Sequence, residues 1–84
     1  NNIMTYQEEI ISKYESMGYD VLKNIRLNKS GYPDLQCLKN GRTTWIEVKE
    51  DKDTLKPLQK LRIDQLKANG FNAFATQKGK GTIY

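Results

Sequence analysis

Two periods of hydrophobic patterning divide this chain into elements. From about Met4 to Met17, Ile10, Ile11, Tyr14 and Met17 recur at helical spacing, and Thr5 followed by Glu8 matches a capping box. The pattern predicts an amphipathic helix ended by Gly18 at its C′ position. Asp20 to Leu27 then alternates Val21, Lys23, Ile25 and Leu27 against Asp20, Leu22, Asn24 and Arg26, which reads as a partly buried strand paired with the segment after it. Two further β-rich runs, Asp34 to Lys39 and Arg42 to Lys49, flank Asn40-Gly41, the strongest short signal for a two-residue type I′ hairpin. Pro57 suits the first turn of a second helix running to about Asn69 and capped by Gly70. Phe71 to Gln77 is again β-like, and Thr82 to Tyr84 adds a short strand after the Lys78 to Gly81 turn. The order predicts an α/β fold with a mixed sheet, its first hairpin antiparallel and the strand after the second helix parallel to a neighbour.

The hairpin turn fixes a register. With Asn40 and Gly41 as the loop, Lys39 pairs with Arg42, and counting outward brings Asp34 opposite Glu47 at a non-hydrogen-bonded position, where Cα atoms approach to about 4.5 Å. Opposed like charges repel unless a cation lies between them or one carboxyl takes a proton. Lys49 shares the face of Glu47, while Leu35, Cys37, Ile46 and Val48 turn to the other side as an apolar layer, so the strand pair is expected to be chemical on one face and core on the other. The spacing alone predicts an anionic metal site. It suits Mg²⁺ or Mn²⁺, because hard divalent ions prefer carboxylate, carbonyl and water oxygens.

Composition narrows the chemistry. The chain has no histidine and one cysteine, which excludes Cys/His zinc sites, His-based catalytic triads and an internal disulfide. Carboxylate, lysine and metal chemistry remain. A net charge of +4 fits a polyanionic partner, with Lys23, Arg26, Lys29 and Lys39 to Arg42 flanking the acidic patch in sequence and Lys49, Lys52, Lys56, Lys60 and Arg62 after it. The loop from Asn28 to Pro33 is read either as a turn or as a DNA contact, in which Lys29, Ser30 and Gly31 meet phosphate. Gln59, Ile63 and Leu66 form an i, i+4, i+7 stripe that turns Gln59 inward at the electropositive start of the second helix. No apolar run approaches the roughly 20 residues of a membrane span, and no signal pattern opens the chain, so one soluble domain of a reducing compartment is expected.

Gly31-Tyr32-Pro33-Asp34, then Ile46-Glu47-Val48-Lys49, then Gln59 resemble the PD-(D/E)XK nuclease signature in its VRR-NUC form, which reads roughly as G-x-P-D, E-V-K and a helix opened by Gln. The resemblance spans most of the chain. It implies a restriction-endonuclease-like α-β-β-β-α-β domain over residues 1–84 and cleavage of DNA with divalent metal ions. It further implies that Asp34 and Glu47 hold Mg²⁺ or Mn²⁺ with the Val48 carbonyl as third ligand. Lys49 would stabilise the charged transition state, Gln59 would orient a water or phosphate, and Lys56 would lie at the DNA. Family members also take an acidic ligand from the first helix; Glu8 is favoured over Glu9 for that role, and the alternative is a Glu that completes the cap. Lys56 departs from the small capping residue common in the family. Stand-alone members of this size are associated with junction cleavage as dimers, which implies a homodimer acting on branched DNA in the cytoplasm of a bacterial or phage-infected cell. A non-catalytic nucleic-acid-binding module and a protein-interaction domain are the rival readings.

Overall fold

The computed structural model describes residues 3–84; Asn1 and Asn2, the start of the expected 1–84 domain, lie outside the described residues. The elements follow the predicted order: α1 (Tyr6–Ser16), β1 (Asp20–Lys23), β2 (Leu35–Lys39), β3 (Arg42–Lys49), α2 (Pro57–Ala68), β4 (Asn72–Gln77) and β5 (Gly81–Thr82). They build one mixed sheet of spatial order β1-β2-β3-β4-β5. All neighbours run antiparallel except β3 and β4, which are parallel and joined by the α2 crossover.

Local chemistry accounts for the boundaries. Thr5 caps α1 in the predicted reciprocal box: its hydroxyl accepts from the Glu8 N–H while Glu8 Oε1 accepts from the Thr5 N–H. At the hairpin, Asn40 has φ 53° and Gly41 φ 74°, the two left-handed positions that a type I′ turn requires. The resulting register pairs Lys39 with Arg42 and Leu35 with Ile46, as counted from the sequence.

The first strand is shorter than its alternation predicts. β1 pairs with β2 only from Asp20↔Leu38 to Lys23↔Leu35, with one further bond from the Asn24 N–H to the Asp34 carbonyl. Beyond that point its partner leaves the sheet, because Gly31, at φ 85°, turns the chain against Leu58 on α2. Ile25 to Leu27 therefore stand in solvent.

Two cores form, one on each face of the sheet. Leu35, Cys37 and Ile46 are buried beneath Ile10, Ile11 and Tyr14 of α1, together with Val48 and Phe74. On the opposite face Ala73 and Ala75 pack under Ile63 and Leu66 of α2, with Leu55, Trp45 and Tyr32 completing the cluster. The expected division of the hairpin into a chemical face and a core face is corrected here. α2 lies over the face that carries Glu47 and Lys49, so the charged residues sit at the end of a second core. Among the described residues no helix is long and apolar enough to cross a membrane.

Because the turn sets the register of everything downstream, Gly41→Ala tests it directly. An added Cβ meets nothing within 4 Å at this position, so the cost is the left-handed backbone alone. The substitution should lower stability by about 1–2 kcal/mol, read as a reduced urea midpoint; an unchanged midpoint would contradict the assigned turn.

Candidate active site

Leu35↔Ile46 is a hydrogen-bonded rung, so the next such rung toward the strand ends would join Pro33 to Val48. Proline has no N–H to give. The Val48 carbonyl, which strand alternation turns toward β2, receives no bond from Pro33, and the Val48 N–H instead donates to Asp34 Oδ2 at 3.2 Å. Asn24 Nδ2 takes the Pro33 carbonyl at 2.8 Å. One proline thus opens the ladder beside the carboxylate that follows it.

Glu47 lies across from Asp34, only 3% exposed, between β2 and β4 in the middle of the sheet. Its Oε2 is 3.5 Å from the Lys49 ammonium and accepts from Gln59 Nε2 at 3.3 Å. Its Oε1 is buried without a hydrogen-bond partner. Burial, and next the charge of Asp34, push the Glu47 carboxyl up to about 7 against the opposing pull of Lys49. Burial likewise raises Asp34 above its ordinary value, opposed by the Val48 N–H and Lys49.

Gln59 occupies two roles at once. As the third residue of α2 it accepts the Lys56 N–H on Oε1 at 2.9 Å, so a glutamine side chain supplies the cap that Lys56 cannot. A backbone N–H can only donate, which fixes Oε1 toward the helix start and leaves the Nε2 donor for Glu47. The absence of a small capping residue at 56 is answered from inside the helix.

Asp34, Glu47, Val48, Lys49 and Gln59 are therefore brought together. Glu8 is not: among the described residues no group of three or more His, Cys, Asp or Glu side chains gathers. Glu8 is exposed and engaged with Thr5, and the Thr5 bonds hold its carboxyl below the ordinary value. α1, which carries it, packs on the sheet face opposite Glu47, so the cap role is the one observed. Lys29, Ser30 and Lys56 are exposed around the site. Gly31 meets α2 rather than open space, since a Cβ there would lie 2.7 Å from Leu58 Cγ.

Sequence reasoning missed Gln77. It is buried, pairs with Lys49 across β3 and β4, and its Nε2 donates to the carbonyls of Glu50 at 2.9 Å and Asp53 at 2.6 Å, closing the loop that leads from Lys49 to α2. The signal was present: Ala73, Ala75 and Gln77 form one inward period-two row, and its polar member needed a buried partner.

The donor set fits a hard divalent cation. Two facing carboxylates, one with an unpartnered buried oxygen, and a carbonyl released by proline are oxygen ligands, and Mg²⁺ commonly completes such a set with water and phosphate.

A mixed sheet with a helix on each face and this carboxylate pair at its interrupted ladder is a nuclease fold. The chain belongs to the VRR-NUC domain family, which matches residues 4–77. A solved VRR-NUC domain superposes with a TM-score of 0.71 at 28% identity, over 82% of this chain and 76% of the other. A second VRR-NUC domain protein gives 0.54 at 30% identity, over 81% of this chain and 52% of its own. The Holliday junction resolvase Hjc of Archaeoglobus fulgidus shares the fold, with a TM-score of 0.64 at 14% identity over 86% of this chain; the chain spans 60% of the resolvase's length. No curated protein sequence matches it.

The raised Glu47 value gives a pH dependence. Its pKa lies above the ordinary 4.5, so its contribution to metal-free stability is fully present below about 4.5 and lost as pH rises through about 7. Metal-free protein should unfold at lower urea at pH 8 than at pH 5.5, and Glu47→Gln should remove most of that difference. An identical pH dependence in the variant would show that Glu47 is not the group involved.

Proposed function

We propose that this protein is a Mg²⁺- or Mn²⁺-dependent endodeoxyribonuclease that hydrolyses phosphodiester bonds, with branched DNA such as a four-way junction as the favoured substrate. The observation that carries the reading is the buried Glu47 carboxylate beside Asp34 and the Lys49 ammonium, with its Oε1 left without a hydrogen-bond partner. A structural ion pair would leave no such oxygen exposed to a second negative charge.

Asp34, Glu47 and the Val48 carbonyl would hold the cation, which when bound lowers the pKa of a water and neutralises charge on the phosphate. Lys49, fixed by its pairing with Glu47, presents positive charge where the phosphorane develops and acts as an electrostatic stabiliser. Gln59 and Lys49 hold Glu47 Oε2 and leave Oε1 without a partner; released from Glu47, the Gln59 amide could orient a water or a phosphate oxygen. The N-terminus of α2, with Lys56 at its cap, adds positive potential at the same edge. Lys29, Ser30 and Gly31, on the loop that precedes Asp34, would contact the DNA backbone.

A homodimer would supply two such sites for the two strands of a junction. Leu58, Leu61 and Phe71 are large exposed apolar residues that a second copy could cover. Among the described residues neither helix is rich in Arg and Asn as a base-reading helix would be, so selectivity would rest on DNA shape.

Asp34→Asn should abolish saturable Mn²⁺ binding and DNA cleavage together. Lys49→Ala should keep Mn²⁺ binding and lower the cleavage rate by about 10²–10³-fold. Cleavage by either variant near the wild-type rate would remove the assignment. DNA affinity should fall steeply between low and physiological salt, as expected for phosphate contacts. Sedimentation at micromolar concentration should give twice 9.7 kDa, and a monomer mass would refute the dimer.

A further inference from the structure

Ile25 to Ser30 is exposed throughout, yet both ends of this stretch are fastened beside the carboxylate pair. At one end Asn24 donates its backbone N–H to the Asp34 carbonyl at 2.7 Å and its side-chain amide to the Pro33 carbonyl. At the other, Arg62 Nε donates to the Ser30 carbonyl at 2.9 Å, its guanidinium lies 4.9 Å from the Tyr32 ring centre, and Gly31 seats against Leu58. A loop held at both ends in this way, one end bonded to the residues that carry Asp34, offers its middle in a defined place.

That middle differs from an ordinary solvated loop. Ile25 is 89% exposed and Leu27 45%, with Arg26 and Lys29 interleaved and no acidic residue between Lys23 and Pro33. A cleft of about 260 Å³ lies between the two limbs of the loop, one limb bearing Ile25 and Leu27 and the other Lys29 and Tyr32. Aliphatic side chains suit the faces of a nucleobase, cations suit the phosphates on either side of it, and the carbonyls and N–H groups of a loop suit its edges. Bases inside a duplex cannot reach such a cleft. A folded protein partner fits it poorly, because a helix with side chains is about 10–12 Å across and a standard interface needs about 800 Å² on each side.

We propose that the loop from Asn24 to Tyr32 binds an unpaired nucleotide next to the scissile bond, with Ile25 and Leu27 packed on the base and Arg26 and Lys29 on the flanking phosphates. The inference rests on the nuclease reading and names the structural feature of the DNA that the site would select.

Binding by the full chain in metal-free, low-salt buffer tests it without cleavage. The probes are two oligonucleotides of equal length carrying 2-aminopurine, one a linear duplex and one with the fluorescent base unpaired at a branch. Wild-type protein should bind the branched probe more tightly and change the fluorescence of the unpaired base. Ile25→Ser/Leu27→Ser alters only exposed side chains; it should weaken branched-probe binding about tenfold and leave duplex affinity unchanged, since losing the apolar contact of two partly covered aliphatic side chains costs roughly that factor. Equal affinity of variant and wild type for the branched probe, or equal losses on both probes, overturns the proposal. So does a wild-type dimer that the variant converts to monomer, which would make the loop a contact between copies. A parallel assay of wild type with Mn²⁺ separates the two readings. Branch-selective binding without cleavage supports the loop and removes the nuclease, whereas cleavage without branch-selective binding does the reverse.

Discussion

The site depends on the enforced approach of two like charges. Nothing in an isolated Asp or Glu favours such proximity; the two-residue turn at Asn40-Gly41 imposes it by fixing the rungs from Lys39↔Arg42 to Leu35↔Ile46. The apolar layer of Leu35, Cys37 and Ile46 then makes the register expensive to abandon, because a slip by one residue would carry that whole row to the wrong face. The repulsion between Asp34 and Glu47 is thus borne by packing several residues away.

The second helix binds this arrangement together from above. Ile63 and Leu66 seat it on Ala73 and Ala75, whose small side chains let it lie close to the sheet. Gln59 then reaches Glu47 from the first turn, and Gln77 ties down the connecting loop from below. The orientation of Glu47 is consequently a property of the α2 docking as much as of β3.

Much of this was legible in the sequence because the relevant rules are local. Asn40-Gly41, Thr5 with Glu8, and Pro57 each specify a conformation within a few residues, and period-two counting from a known turn yields a contact between residues 34 and 47. The missing parts are those that local rules do not reach. The alternation of Asp20 to Leu27 continues past the point where its partner departs, and only Gly31 meeting Leu58, far along the chain, ends the strand. Glu8 satisfies two patterns equally well, and the side of the sheet on which α1 packs decides between them. The period-two row of Ala73 and Ala75 places Gln77 inward, but nothing local names its partners, because the three carbonyls it reaches belong to an irregular loop.

Pro33 has a consequence for self-association. By removing one rung it makes β3, an interior strand, behave as an edge for the length of a single residue, and a free carbonyl at an edge is a template for another chain's N–H. Here Asp34 Oδ2 accepts the neighbouring Val48 N–H, and the negative charge of Asp34 and Glu47 would also meet an incoming strand's own carbonyl oxygens. The charges that equip the gap for chemistry also guard it, so a chain neutralised at Asp34 and Glu47 would be expected to aggregate more readily while folding just as well.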